Sequence, residues 1–311
     1  MEPENTQTAQ RAVKNSIWLF ATEALSKLLA LGTQIVAARY LGDKGFGVFS
    51  FAFSATGILL IFADSGINTY LTREIARHPD RSENYLNNAL ILKAGLTLAV
   101  VLILAAIPWV SSFDRETSLV LWVIGLALLV TGYADIYISV FRAFENMRLV
   151  SILTVAQRAM FFVLGITVLM QGYKVVPLAL AFLAASTVNL FLARWLFRVD
   201  FIRPGKHTGE NLVSLKEIFI QSMPLGMIIL FTYVYFRIDA VMLYYLRGES
   251  ETGWYSAAFK LIEALLLLLD SIRNALFPLL SKMFGKEDDR FKEIWRQATR
   301  YMFILGLAPA V

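Results

Sequence analysis

Long apolar runs, each long enough to cross a membrane as a helix, follow one another along the chain. A hydrocarbon layer about 30 Å thick is spanned by about 20 helical residues. These runs show no strict alternation of apolar and polar positions, and open sheet edges are not stable in lipid, so the pattern predicts helices throughout. The predicted spans are residues 16–41, 46–65, 86–110, 117–141, 149–170, 175–197, 218–246 and 254–280, with a ninth beginning near residue 298.

The composition supports an all-α, polytopic membrane protein. Of the 311 residues, 57% are hydrophobic and 17% are charged, whereas soluble domains have about 45–50% apolar and 25% charged residues. The chain contains no cysteine, so disulfides and thiolate chemistry are excluded. It has no glycine-rich phosphate loop, metal-spaced histidine cluster or serine elbow. We therefore expect no enzyme activity, no cofactor and no metal site.

The distribution of basic residues predicts the orientation in the membrane. If the N-terminus is cytoplasmic, 18 of the 29 Lys and Arg residues lie on the inner side and five lie on the outer side. This excess predicts a cytoplasmic N-terminus in a cell membrane. Because the charges are scattered over every inner loop, we expect no nucleic-acid partner. The inner loop 66–85 is amphipathic and is predicted to lie along the membrane surface.

One short motif occurs twice. "YLGDKGFGVFS" begins at Tyr40, and "YLRGESETGWYS" begins at Tyr245. With one extra residue in the second turn, Gly47 aligns with Gly253. The match continues along the following helix through "DS" at residues 64–65 and 270–271 as far as Asn68 and Asn274. We interpret this as an internal duplication with a period of about 206 residues.

The duplication predicts two pseudo-symmetric helical bundles. Six predicted helices separate the copies, so the repeat is parallel and its pseudo-two-fold axis runs along the membrane normal. Residues 1–215 are predicted to form a six-helix bundle. Residues 216–311 are predicted to form an incomplete second bundle, comprising helices seven and eight and the start of nine.

The runs "VAARYLGDKGFGVFSFAFS" and "FADSGINTYLTREIAR" resemble the polysaccharide-biosynthesis flippases of the O-antigen and teichoic-acid exporter type. These belong to the multidrug/oligosaccharidyl-lipid/polysaccharide exporter superfamily. The resemblance implies two bundles that move a lipid-linked oligosaccharide of the polyprenyl-pyrophosphate type across the membrane by alternating access. It also implies membrane lipids and glycan-assembly membrane proteins as partners. The family has twelve to fourteen helices, so a chain that stops in its ninth span is expected to be a fragment.

Charged residues inside the predicted spans are the candidates for substrate binding. An ionisable group at mid-membrane costs about 2.5–3.5 kcal/mol on insertion scales, so it is a functional candidate by default. Positive groups lining a cavity between the bundles would stabilise an anionic head group in transit. The predicted cavity cations are Arg158, Lys27, Lys260 and Arg237, with Glu23, Glu263 and Asp239 as polar partners.

Spacing leaves a structural alternative open for two of these cations. Glu23 and Lys27 are four residues apart, and Lys260 and Glu263 are three apart, so each pair shares a helix face and can neutralise itself. Such pairs could equally form a polar stripe inside a bundle.

Arg158 has no acidic neighbour on its own predicted helix, which makes it the strongest lone cation. Its structural alternative is a pair with Asp135 or Glu145 on the preceding hairpin. Lys93 lies nearer a span end and is expected to extend its charged head towards the interface. Asp64 recurs in the second copy of the repeat and is interpreted as scaffold.

Two other functions remain possible at this point. One is a cation-coupled multidrug exporter of the same fold, which would favour acidic cavity residues. The other is a non-transporting membrane scaffold, since the second bundle is incomplete. The balanced to slightly basic spans favour the flippase.

Overall fold

A computed structural model describes residues 3–110, 113–201 and 214–263, together with 295–296, 299–300 and 303. Within these ranges the secondary structure is helical and contains no strand, which confirms the all-α prediction. The helices are α1 (Pro3–Asp64), α2 (Ile67–Arg77), α3 (Ser82–Val110), α4 (Arg115–Ala143), α5 (Met147–Met170), α6 (Val175–Phe201) and α7 (Leu215–Arg247), and α8 over residues 249–263.

Six helical segments of the described chain are long and apolar enough to cross a membrane. The first of these contains both arms of α1, which are separated by Gly42 at φ 67° and ψ −173°. An unbroken helix of that length would extend about 90 Å, three times the thickness of the hydrocarbon layer. Gly42 therefore divides α1 into a first arm (3–41) and a second arm (43–64). The positive φ suits glycine, which lacks a Cβ.

The two arms of α1 lie side by side. In the first arm, Gly32 faces the ring of Phe162 in α5. In the second arm, Phe53 contacts Phe182 of α6, whose ring also contacts Phe161 of α5. Positions about ten residues before and after Gly42 thus reach neighbouring phenylalanines. This geometry is the helical hairpin predicted from the first copy of the motif.

The chain turns again where α1 ends. Ser65 and Gly66 both have positive φ, 44° and 78°, and the amphipathic helix α2 follows. Its apolar residues Ile67, Leu71 and Ile75 are buried in a cluster with residues of α3, α4, α5, α6 and α7. The apolar face of the predicted surface loop therefore packs against protein.

Helix α7 runs antiparallel to the second arm of α1. Three glycines in and just after the second arm approach α7, and the later each lies in the chain, the earlier its partner lies. Gly47 lies at the carbonyl of Glu249 just beyond α7, Gly57 at Tyr233, and Gly66 at Gly226. At each of these positions a Cβ would overlap its neighbour. The absence of side chains thus permits close packing along the whole arm.

The chain divides into two compact units, residues 1–254 and 255–311. Helix α7 belongs to the first unit, and the bundle boundary at 215/216 stays a prediction. The later part of the second motif copy, including Asp270, lies outside the described residues, as does most of the ninth span. The superposition of the two copies therefore also stays a prediction.

Candidate substrate-binding site

A charge cluster centred on the buried Lys93 lies where α1 ends. The Lys93 ammonium donates to Asp64 Oδ1 at 2.7 Å and to the carbonyl of Gly132 at 2.7 Å. Asn68 Nδ2 donates to the same carboxylate oxygen at 2.6 Å. Lys93 is only 2% exposed, so the prediction that its head reaches the interface is wrong. The lysine turns inward because a half-buried carboxylate and a backbone carbonyl satisfy its charge there.

A neutral polar network joins three helices at mid-bundle. Gln157 of α5 donates through Nε2 to Thr131 Oγ1 of α4 at 2.9 Å and to Ser186 Oγ of α6 at 3.2 Å. Thr131 in turn donates to Ser186 at 2.9 Å. These hydrogen bonds set the rotation of α5 about its own axis, because they hold Gln157 between α4 and α6.

The next residue, Arg158, is exposed. Successive side chains on a helix are rotated by about 100°, so Arg158 points away from the α4–α6 interface. It shares a helix face with Phe162, one turn further along, which lies against the first arm of α1. Among the described residues, no carboxylate lies within ion-pair distance of Arg158; Asp135 acts on it electrostatically. The arginine is therefore a partly compensated cation directed towards the first arm.

The contact between Gly32 and Phe162 also relates the depths of two predicted cations. Lys27 lies five residues before Gly32, and Arg158 lies four residues before Phe162. At 1.5 Å per residue both are about 6–8 Å to the same side of this contact, since the first arm and α5 run in the same direction. The structure thus brings Lys27 and Arg158 to a similar depth on adjoining helices.

Lys27 is partly neutralised on its own helix. Its ammonium lies 3.1 Å from Glu23 Oε1, and the two side chains are 31% and 61% exposed. The i,i+4 pairing foreseen from spacing is therefore present. Because both groups remain accessible, the pair is open to exchange with another anion.

The remaining predicted residues lie on α7 and α8. Arg237 and Asp239 are half-buried and both are engaged by neighbours; the Asp239 carboxylate accepts from the Ala240 amide at 2.7 Å. Lys260 belongs to the second compact unit, where it pairs with Glu263 at 2.7 Å. No group of three or more possible metal ligands occurs among the described residues.

Sequence reasoning missed two features of this region. It did not foresee that Lys93 and Asp64, on different helices, form an ion pair. It also did not foresee the network of Gln157, Thr131 and Ser186. The polar residues within apolar spans were the available signal, but helical periodicity does not reveal which helices meet.

The fold and the membrane-length apolar helices define a multi-pass, all-helical membrane protein. The sequence pattern of the polysaccharide biosynthesis protein family matches residues 12–284, and the chain belongs to this family. This confirms the family resemblance seen in the sequence.

Similar proteins agree with this assignment. A Shigella flexneri protein named as an O-antigen transporter is 24% identical over 310 residues, covering 95% of this chain and 72% of the relative. The capsular polysaccharide biosynthesis protein CapF of Staphylococcus aureus is 22% identical over 297 residues, covering 95% and 72%.

Solved structures show the same fold. An inward-facing multidrug resistance MATE family transporter of the MOP superfamily superposes with a TM-score of 0.68 at 18% identity, covering 91% of this chain and 68% of that one. An outward-facing multidrug resistance MATE family transporter of the same superfamily superposes with a TM-score of 0.64 at 18% identity, covering 96% and 70%.

Proposed function

We propose that the chain moves a lipid-linked oligosaccharide of the polyprenyl-pyrophosphate type from the inner to the outer leaflet by alternating access. Arg158 is the principal contact for the phosphates. The observation that carries the proposal is an exposed arginine within a membrane-length helix, directed towards a neighbouring helix, with no described carboxylate in ion-pair range. Facing lipid, such a group would be costly; facing a polar cavity, it is a ready anion site.

The electrostatics suit an anionic head group. A pyrophosphate leaving water loses its hydration, and a fixed guanidinium can replace part of it through bidentate, charge-assisted hydrogen bonds. With the cell interior negative, outward movement of each negative charge gains about 2.3 kcal/mol per 100 mV. The protein then mainly needs to lower the barrier at mid-membrane.

Lys27 supplements Arg158 at a similar depth. Its partner Glu23 is largely exposed, so water screens the pair and the ammonium can turn to a phosphate at little cost. Arg237 lies ten residues before the end of α7, about 15 Å inside the outer helix end, and is the proposed contact later in transit. Lys260 is proposed as a fourth contact, with Asp239, Glu263 and Glu23 as resting partners.

The proposed transport also requires a membrane orientation and membrane proteins that act before and after it. The N-terminus is cytoplasmic, because basic residues predominate on the loops of that side. The substrate is taken from the inner leaflet of the cell membrane. Glycan-assembly membrane proteins are the proposed suppliers and consumers of the lipid-linked glycan.

The test is glycan export in the native host, with variants introduced into the gene that encodes the chain. Arg158→Ala should lower export about tenfold or more, since one charge-assisted hydrogen bond contributes about 1.5–3 kcal/mol. Arg158→Lys should restore only part of the export, because lysine lacks the planar guanidinium that binds phosphate through two parallel hydrogen bonds. Surface glycan and retained lipid-linked glycan are measured at equal protein levels in the membrane.

The matched control is Arg148→Ala, which removes an exposed arginine at the inner end of the same helix. It should export at the parental rate. If Arg158→Ala and the double variant Arg158→Ala/Lys27→Ala both export glycan at the parental rate, these charges are structural. Loss of cationic drug efflux instead of glycan export would favour the multidrug exporter.

A further inference from the structure

We propose that two interlocked helix turns, Gly42–Gly47 and Gly248–Gly253, form the outer gate of the transport route and are closed in this structure. The inference rests on the alternating-access function proposed above. It is carried by the backbone geometry of the two turns and by the contacts between them.

The two turns have the same backbone design. Gly42 has φ 67° and ψ −173°, and Gly248 has φ 86° and ψ −168°. Each glycine interrupts a long helix, and a new helix begins at the next residue, Asp43 or Glu249. Gly47 and Gly253 are each five residues beyond their turn glycine.

The contact between the turns is reciprocal. A Cβ on Gly47 would overlap the carbonyl of Glu249, and a Cβ on Gly253 would overlap the carbonyl of Asp43. Each turn therefore places its helix-starting carbonyl against the glycine of the other turn. Both glycines are buried, and Thr252 beside them is 0% exposed. Backbone touches backbone here, which leaves no passage between the two turns.

A small set of side chains holds the turns together. The Asp43 carboxylate lies beside Ser250 of the opposite turn and interacts with its side chain. Tyr244, at the outer end of α7, shares a hydrogen bond of 3.0 Å with Thr117 of α4 and stacks on Phe51 of α1 at 3.8 Å between ring centroids. These contacts fasten the outer end of α7 to the second arm of α1 and to the outer end of α4.

The position of the contact makes it a gate. The first arm of α1 carries Lys27 and ends at the Gly42 turn, while α7 carries Arg237 and ends at the Gly248 turn. Separating the turns would open the outer ends of the two helices that bear these cations. The glycine contacts close tightly without interdigitating side chains, so the side-chain contacts that opening must break are those of Tyr244 with Thr117 and Phe51.

The first test cross-links the turns. Because the chain has no cysteine, Asp43→Cys/Ser250→Cys provides a single disulfide-forming pair in contact across the gate. Oxidation should lower glycan export about tenfold or more, because the disulfide would keep the gate closed and transport requires it to open. Reductant should restore export. Each single variant, oxidised in the same way, is the control. Complete cross-linking with undiminished export would overturn the proposal and identify the contact as permanent.

The second test needs no substrate. Gly47→Ala adds a methyl group that the closed gate cannot hold, whereas Gly95→Ala adds one on α3 where no atom lies within 4 Å. In purified protein carrying Thr252→Cys, labelling by an impermeant maleimide should be about tenfold faster with Gly47→Ala than with Gly95→Ala, because the open state is more populated. Equal rates would overturn the gate.

The two tests separate this inference from the substrate assignment. If maleimide labelling responds to Gly47→Ala but glycan export is absent in the parent, the gate stands and the substrate assignment fails. If Gly47→Ala protein does not reach the membrane, the cross-linking result decides alone.

Discussion

Two charged regions of the described helices differ in the exposure and the partners of their cation. Where α1 ends, Lys93 is 2% exposed and donates to Asp64 and to the Gly132 carbonyl. At mid-bundle, Arg158 is exposed and has no described carboxylate in ion-pair range. A charge in a lipid-length helix is therefore not a binding residue by default. Its partners and exposure separate a structural cation from one that is available to a ligand.

The largest expected effect comes from breaking this ion pair. Lys93→Met leaves the Asp64 carboxylate, whose side chain is 25% exposed, without its cation, and should destabilise the folded protein by about 1–3 kcal/mol. Thermal unfolding of the detergent-solubilised protein measures this. Arg158→Ala, which removes an exposed charge, should leave the unfolding temperature nearly unchanged.

The double variant Lys93→Met/Asp64→Asn sharpens the same comparison. It removes both charges and should recover most of the lost stability, since the penalty arises from the uncompensated carboxylate. If Lys93→Met is as stable as the parent, Lys93 is not the structural cation described here and the contrast with Arg158 fails.

A much smaller effect is expected at the exposed pair on α1. Glu23→Gln removes the partner of Lys27, but Glu23 is 61% exposed, so water screens the interaction. The change in unfolding free energy should stay below about 1 kcal/mol. A loss comparable to that of Lys93→Met would place Lys27 with the structural cations.

Sequence reasoning succeeded where the relevant contacts are local. The pairs Glu23–Lys27 and Lys260–Glu263 follow from helical spacing, and the hairpin at Gly42 follows from a glycine-containing turn between two apolar runs. Each depends on residues within a few positions of one another, where helix geometry alone determines which side chains meet.

It failed where helices distant in sequence meet. Lys93 and Asp64 are 29 positions apart and belong to different helices, so no periodicity pairs them. The match of Gly47 with Gly253 was visible as a repeat, but their reciprocal contact depends on the approach of the second turn to the first. Helix packing supplies this information, and one sequence does not encode it in a readable pattern.

The most direct test of the central claim measures binding of a short-chain prenyl pyrophosphate to the purified chain in lipid nanodiscs. The parent and Arg148→Ala should bind with equal affinity, whereas Arg158→Ala should bind about 10–100-fold more weakly, because one charge-assisted contact to phosphate is lost. High salt should reduce the difference. Equal affinity of Arg158→Ala and the parent would contradict the assignment of Arg158 as the phosphate contact.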